Sequence, residues 1–350
     1  MKTIARAATL FAAAACGCLG GHAIAQDEAG DGAITTDTHR FQPLADGVYL
    51  ALYTVPRFFN SNSLVVINDE DVLVVDSHIT PNAAEELIAG IGQITDKPIT
   101  TLVYTHFHYD HAHGTQAFGD VQIIGHEFTH ATMTGDPLNQ PTFQQWLSGQ
   151  NRAVPWLEGQ IESAESDEQR EQLEASLGAA KAHLQHIKGI TPVPPDTTLS
   201  DRLTLFRSDR EIQVIFCGRA HTGGDVVVYL PADKLVYTGD MAFRGPSFLG
   251  DGYVDEWPAT LMKLKELDVD MYVPGHGPPF SDAERLDIVA AYYGDLWDQV
   301  VAVRADGANA GEAFRQVDLT AYADSLGIRQ PGVDPTAVAR IYQLLKERGE

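Results

Sequence analysis

A mixed α/β fold is predicted for this chain, and three observations predict it. Short apolar runs recur along it, such as Val72-Leu73-Val74-Val75, each bounded by glycine, aspartate or proline. Segments with apolar residues at helical spacing stand between and after these runs. Nitrogen and oxygen donors gather just beyond several runs, where a strand gives way to a turn.

The amino-terminal segment reads as an address and not as part of the fold. Lys2 and Arg6 form a charged start, Ala7 to Ala15 is an apolar run too short to span a bilayer, and Ala23-Ile24-Ala25 is a small-x-small cleavage pattern. Residues 1–25 are therefore expected to be a signal peptide, with a mature start near Gln26 and an exported, periplasmic or secreted, location. Lipid anchoring through Cys16 or Cys18 is the weaker alternative, because neither follows a Leu-x-Gly/Ala-Cys pattern. Cleavage leaves Cys217 as the last of three cysteines, so no disulfide forms within the mature chain. About 325 residues can bury a core without one. Cys217 ends an apolar run and reads as a small core residue.

Residues 26–38 are acidic and poor in apolar side chains, which suggests a flexible lead-in. The main domain is expected over 39–308. Strand-like runs begin it: Gly47 to Leu52, Ser63 to Ile67 and Asp71 to Asp76. The last is continuous enough for a strand buried on both faces. Thr80-Pro81 opens a helix with proline at the first helical position, and Ala84, Leu87, Ile88 and Ile91 form its apolar face. Residues 140–189 change in character: Gln, Glu and Ala dominate, and Leu173, Leu177, Leu184 and Ile187 fall at helical spacing. One or two inserted helices are expected there, either a lid on the site described below or a structural hairpin. Trp146, Val154, Trp156 and Leu157 are read as a staple to the core in preference to a pocket lining. Pro192, Pro194 and Pro195 end the insert. Strand-like runs resume after Leu203 and continue to Val273. Ser281 with Glu284 suggests a capping box opening a long helix, in which Val289, Tyr292, Leu296 and Val300 share a face. Residues 309–350 read as a helical extension, its last helix opened by Asp334-Pro335 and ending near Gly349.

The densest donor cluster is His106-Phe107-His108-Tyr109-Asp110-His111, directly after Thr101-Leu102-Val103-Tyr104. His106 and His108 are two apart and point the same way in an extended segment. Asp110 and His111 fall on the following turn. Zinc takes such nitrogen and oxygen donors. Three later donors also follow apolar runs: His221 in Gly218-Arg219-Ala220-His221, Asp240 in Gly239-Asp240, and His276 in Pro274-Gly275-His276-Gly277. Nearby glycines let backbone crowd close to a site.

In this order, over about Val48 to His276, the donors resemble the full dinuclear set of the metallo-β-lactamase superfamily. The resemblance implies a four-layer αββα sandwich, here with a helical insert. It implies two zinc ions per chain: His106, His108 and His221 on one, Asp110, His111 and His276 on the other, Asp240 bridging. Attack by a hydroxide shared between the ions is then expected, with Asp110 as the catalytic residue that orients it and passes its proton to the leaving group. No protein nucleophile is needed, so Ser61 and Ser63 are not candidates, and there is no Gly-x-Ser-x-Gly elbow. Asp76 resembles the aspartate that supports the metal loop; a turn or capping role is its plainer reading. His78 and His113 receive no ligand place and read as ordinary polar residues. Tyr109 and Phe58-Phe59-Asn60 are offered as substrate-facing.

Asp240 bears on the reaction. Dedicated β-lactamases of the superfamily usually carry cysteine or serine there, whereas thioesterases, lactonases and phosphodiesterases carry aspartate. The reading is thus an exported dinuclear zinc hydrolase of small-molecule esters, lactones, thioesters or amides. The alternatives are activity on β-lactams, a mononuclear iron dioxygenase, and a periplasmic metal-binding or accessory protein without turnover. The formal net charge of −24 opposes binding to nucleic acid. No stable membrane insertion is expected, and the oligomeric state is left open.

Overall fold

The structure is a computed structural model and describes residues 32–55, 60–328 and 333–349. The expected signal peptide, most of the lead-in, and Phe58 and Phe59 lie outside the described residues. Two sheets carry the fold. The first runs in sequential order through β1 (Ile34–Thr35), β2 (His39–Ala45), β3 (Val48–Tyr53), β4 (Ser63–Ile67), β5 (Val72–Val75), β6 (Ile99–Val103), β7 (Gln122–His126) and β8 (Thr197–Leu199). Pairing is antiparallel from β1 to β5 and parallel from β5 to β8. Parallel neighbours need crossovers. These are α1 (Pro81–Ile91); α2 (Tyr109–Ala112); and α3 (Glu127–Thr134), α4 (Pro141–Glu162) and α5 (Asp167–Lys188) in turn.

The second sheet has the order β13-β12-β11-β10-β9, from β9 (Arg202–Arg207), β10 (Arg210–Phe216), β11 (Val226–Leu230), β12 (Leu235–Gly239) and β13 (Met271–Pro274). Its one parallel pair, β12 with β13, is spanned by α6 (Trp257–Leu264). Helices α7 (Glu284–Ala305), α8 (Ala310–Gln316), α9 (Ala323–Leu326) and α10 (Pro335–Glu347) follow.

Side-chain alternation sorts the strands into layers. Along β5, Leu73 and Val75 enter the cluster between the sheets, where they join Leu64, Val103, Val214, Val228 and Tyr237. Val72 and Val74 point the other way, into a cluster with Leu102, Leu87 and Ile91 under α1. A strand buried on both faces needs apolar residues at every position, which is why its run is unbroken. On the far side of the second sheet, Ile215, Val227, Tyr229 and Val236 meet Trp257, Leu261, Val289, Leu296 and Val300. Each such buried aliphatic side chain contributes about 1.5–3 kcal/mol of transfer free energy. The result is the four-layer αββα sandwich. Ala313, Val338, Ile341 and Leu345 of the carboxy-terminal helices belong to that same outer cluster. The expected extension is therefore packed into the outer layer and does not hang from it.

Some local expectations change. Ile34–Thr35 pairs with Arg40 and Phe41, so the described end of the lead-in is tied to the sheet edge. Strand β2 was not anticipated; Pro43 and partly polar residues blur its alternation. Ser281 and Glu284 form no capping box. Phe280 is bridged to Tyr272 through both backbone groups, at 2.8 and 2.9 Å, so the chain is still extended there. Helix α7 begins only at Glu284, where the backbone N–H donates to Asp282 Oδ1 at 3.1 Å. Among the described residues, no helix is long and apolar enough to cross a membrane.

The insert is two helices, α4 and α5, that pack on each other and on the metal loop. Trp146 stacks on Tyr109 with ring centroids 4.9 Å apart, and Phe143 lies 5.2 Å from His113. With Ile79, Ile187 and Ile190 these side chains form a separate apolar cluster. Trp146 thus acts as a staple; Leu157 is buried, whereas Trp156 is exposed. Tyr109 is buried against Trp146, so it is used in packing and not, as offered above, in facing substrate.

Candidate metal centre

Strand ends place the donors. Strands β5 and β6 are parallel and in register at Val75 and Val103, so Asp76 and the loop from Thr105 to His111 leave the first sheet side by side. Strands β12 and β13 are likewise parallel and bring Asp240 beside Gly275 and His276. His221 arrives on the loop between β10 and β11. The approach is close enough to dictate a residue type: a Cβ on Gly275 would lie 2.4 Å from Asp240 Oδ1 and 2.8 Å from His111 Cε1.

Seven side chains converge, and their ligand atoms form overlapping groups: His106, His108 and His221; His106, His111 and Asp240; Asp110, His111 and His276. Within each group these atoms lie within 4.8 Å of one another. His108 Nδ1 is 2.8 Å from His221 Nε2. On the other side, His276 Nε2 is 3.0 Å and His111 Nε2 3.4 Å from Asp110 Oδ2. Asp240 stands between. Its Oδ2 is 3.4 Å from His221 Nε2, and its Oδ1 is 3.3 Å from His111 Nε2 and 3.7 Å from His276 Nε2.

Four of the imidazoles, His106, His108, His111 and His221, turn one nitrogen inward while a neighbour holds the other. His111 Nδ1–H donates to Asp76 Oδ2 at 2.7 Å. His108 Nε2–H donates to Asp251 Oδ2 at 2.9 Å. His221 Nδ1–H donates to the Phe248 carbonyl at 2.9 Å, and His106 Nδ1 lies 3.0 Å from Thr105 Oγ1. Such partners fix tautomer and ring orientation. Asp76 is fully buried at φ 64°, a left-handed turn that aspartate tolerates better than most residues. Its Oδ1 accepts the Thr105 N–H at 2.8 Å. Ser61 and Ser63 donate their hydroxyls to the carbonyls of Asp110 and Asp76, at 2.8 and 3.0 Å, and serve structure.

The centre is built for cations. Buried His106 Nε2, His111 Nε2 and Asp240 Oδ1 satisfy no hydrogen bond. Buried polar atoms in native folds are normally paired, and divalent ions held by these groups would satisfy all three. Burial pushes His106 well below the ordinary imidazole range and His221 down to about 3, with His108 adding to the latter. Burial acts the same way on His111, but Asp110, Asp240 and Asp76 outweigh it and hold His111 well above the ordinary range. Asp240 and Asp110 likewise raise His276. Burial disfavours the charged forms of Asp110 and Asp240, yet the same imidazoles hold both carboxyls below their usual range.

Other expected residues fall outside the cluster. His78 is buried with its Nε2 2.8 Å from His39 Nε2, and His113 is buried beneath Phe143. Both are interior residues and not merely polar ones. Asn60 Oδ1 accepts the Ile79 N–H at 2.9 Å. Cys217 is buried, and burial raises its thiol to about 11, which makes it an inert core residue. Asp251, Phe248 and Thr105, which hold the outer nitrogens, were missed. Thr105 carried a signal in its place beside His106; Asp251 and Phe248 carried none, being remote in sequence from the rings they hold.

Residues 56–276 match the family model of the metallo-beta-lactamase superfamily. A linear primary-alkylsulfatase from Pseudomonas sp. is 27% identical over 276 residues, which cover 71% of this chain and 48% of that protein. The chain thus spans about half the length of that relative. An acyl-coenzyme A thioesterase from Gallus gallus is 24% identical over 268 residues, covering 72% of this chain and 85% of that one. Among solved structures, the DIM-1 metallo-beta-lactamase matches with a TM-score of 0.51 at 18% identity, over 73% of this chain and 97% of that one. The last likeness concerns the fold alone.

Proposed function

This chain belongs to the metallo-β-lactamase superfamily, and from that premise we propose that this metal-dependent hydrolase holds two zinc ions and cleaves ester, lactone, thioester or amide bonds of small molecules. The observation that carries the reading is Asp240, whose two oxygens face different donor groups, Oδ2 toward His221 at 3.4 Å and Oδ1 toward His111 at 3.3 Å. His106, His108 and His221 would hold one ion, Asp110, His111 and His276 the other, and Asp240 would join them. The set contains imidazole and carboxylate but no thiolate, which suits zinc. When bound, such ions supply Lewis acidity and lower the pKa of coordinated water to about 7.

The remaining work falls to the chain. Burial disfavours the charged form of Asp110, but His111 and His276 hold its carboxyl below the usual carboxylate range. It can accept a proton from the attacking water and return it to the oxygen, sulfur or nitrogen that leaves. Asp76, Thr105, Asp251 and the Phe248 carbonyl keep the imidazoles in the tautomer that leaves the inward nitrogen free. The named activities of the two relatives, on an alkyl sulfate and on an acyl-coenzyme A thioester, add sulfate esters to the bonds worth testing. Aspartate at position 240 speaks against a dedicated β-lactamase. Export rests on Lys2, Arg6 and Ala23-Ile24-Ala25, and an intact mass starting at Gln26 in the native host would support it.

The test is elemental analysis of protein purified without chelator, followed by a hydrolysis screen over sulfate esters, lactones, thioesters, phosphodiesters and β-lactams. Two zinc equivalents and turnover of one class are expected. A single iron without zinc would move the chain to the dioxygenase reading. Two ions with no turnover anywhere would favour a binding role.

A further inference from the structure

His108 differs from its neighbours in the nitrogen it presents. Its Nδ1 faces the site, 2.8 Å from His221 Nε2, so Nε2–H points away and donates to Asp251 Oδ2 at 2.9 Å. Asp251 lies on the loop between β12 and α6. The same Oδ2 accepts a hydrogen bond from Thr142 Oγ1. Thr142 stands in the first turn of α4, whose amino end has no side-chain cap. A carboxylate beside that end is favoured by the partial positive charge of the helix terminus. His106, His111 and His221 are held by Thr105, Asp76 and the Phe248 carbonyl, none of which belongs to the insert. Among these four imidazoles, only His108 is held by a group that the insert also holds.

We infer that Asp251 is a positioning residue for the ion place formed by His106, His108 and His221, and that Thr142 couples the helical insert to it. The inference rests on the metal-site reading above. Asp251 also borders a cavity of about 250 Å³ lined by Phe107, Phe128, Tyr253 and Arg340. Removing the carboxylate opens His108 Nε2 to that cavity, where only mobile water would replace a fixed acceptor. The ring then loses its orientation, and α4 loses a polar anchor one turn from the aromatic one at Trp146. Docking of the insert and affinity at this ion place become one linked event.

The test uses the full chain titrated with Co²⁺ alone, read by its visible absorption bands and by competition with a chromophoric chelator. Amide exchange across α4 is followed in parallel. Asp251→Ala should weaken one of the two ions by roughly 10- to 100-fold, the usual cost of losing an outer ligand partner, and alter that ion's bands while sparing the other. Asp251→Asn keeps an acceptor for His108 and a group for Thr142, so it should recover most of the loss. Thr142→Val, a mild isosteric change, should weaken the same ion several-fold and speed exchange in the first turns of α4. Wild-type Co²⁺ binding and spectrum in Asp251→Ala would overturn the positioning role. So would equal loss of both ions without recovery in Asp251→Asn, which marks a general folding role. Unchanged exchange and affinity in Thr142→Val would overturn the coupling. A wild-type chain that binds no Co²⁺ would sink the metal-site reading and this inference with it, an outcome distinct from wild-type binding with unaffected variants.

Discussion

Asp76→Asn asks which nitrogen of His111 carries its proton. Asparagine tolerates the left-handed backbone at φ 64° and has nearly the same shape, so the change acts through one oxygen becoming an amine. The amide's orientation is determined by its surroundings. The Thr105 N–H, 2.8 Å from Oδ1, can only donate, so the amide oxygen must stay there. The amine then takes the place of Oδ2, opposite Thr105 Oγ1 at 2.9 Å, Tyr237 OH at 3.3 Å and His111 Nδ1 at 2.7 Å. Hydroxyls can rotate and accept. His111 Nδ1 can accept only if its proton moves to Nε2, the atom turned toward Asp240 and Asp110. A protonated Nε2 is no ligand. The expected cost is roughly 10- to 100-fold in affinity for one ion, or about 1.4 to 2.7 kcal/mol. The metal-free fold should lose a further ~1–3 kcal/mol for a disturbed buried hydrogen bond. Stepwise zinc titration against a chelator gives the first quantity and urea unfolding of the metal-free protein the second. Both ions bound at wild-type strength, with only the fold destabilised, would refute the tautomer argument.

Three further outcomes follow from the same geometry. Asp110→Asn keeps size and one oxygen donor but cannot take a proton, so zinc content should stay near wild type while kcat/KM on the best substrate falls by on the order of 10²-fold or more; full activity with both zincs would exclude Asp110 as the proton acceptor. Trp146→Ala removes a side chain only 7% exposed, stacked on Tyr109, and should cost about 3–5 kcal/mol in urea unfolding; a loss below about 1 kcal/mol would mean that the insert is not stapled there. His39 is lowered to about 4 by burial, beside His78, which burial and then His39 lower further. Between pH 6.5 and 4 the unfolded chain therefore binds a proton at His39 that the folded chain refuses, so stability falls with falling pH, by up to ~1.4 kcal/mol per pH unit from His39. His39→Gln should flatten the urea midpoint of the metal-free protein over that window, and an unchanged slope would contradict the assignment.

The sequence alone carried the parts of this protein that are local. Six consecutive residues, His106 to His111, hold four of the seven converging donors because one turn after one strand can present them all. Val72 to Val75 announces a strand buried on both faces because two layers must be filled at every position. Thr80-Pro81 and Asp334-Pro335 mark helix starts because their own side chains and rings do the capping. What depended on distant chain was hidden or misread. Ser281 and Glu284 have the spacing of a capping box, yet the chain leaves the pairing of Phe280 with Tyr272 and enters the helix only at Glu284, beyond the turn that the box would cap. Tyr109 sits in the metal loop, but Trp146 claims its face. Asp251 and the Phe248 carbonyl hold His108 and His221 from a loop whose sequence names no partner. Register between parallel strands, and packing of the insert on the metal loop, decide these contacts. Both are settled by burial summed over the whole molecule, which no local pattern records.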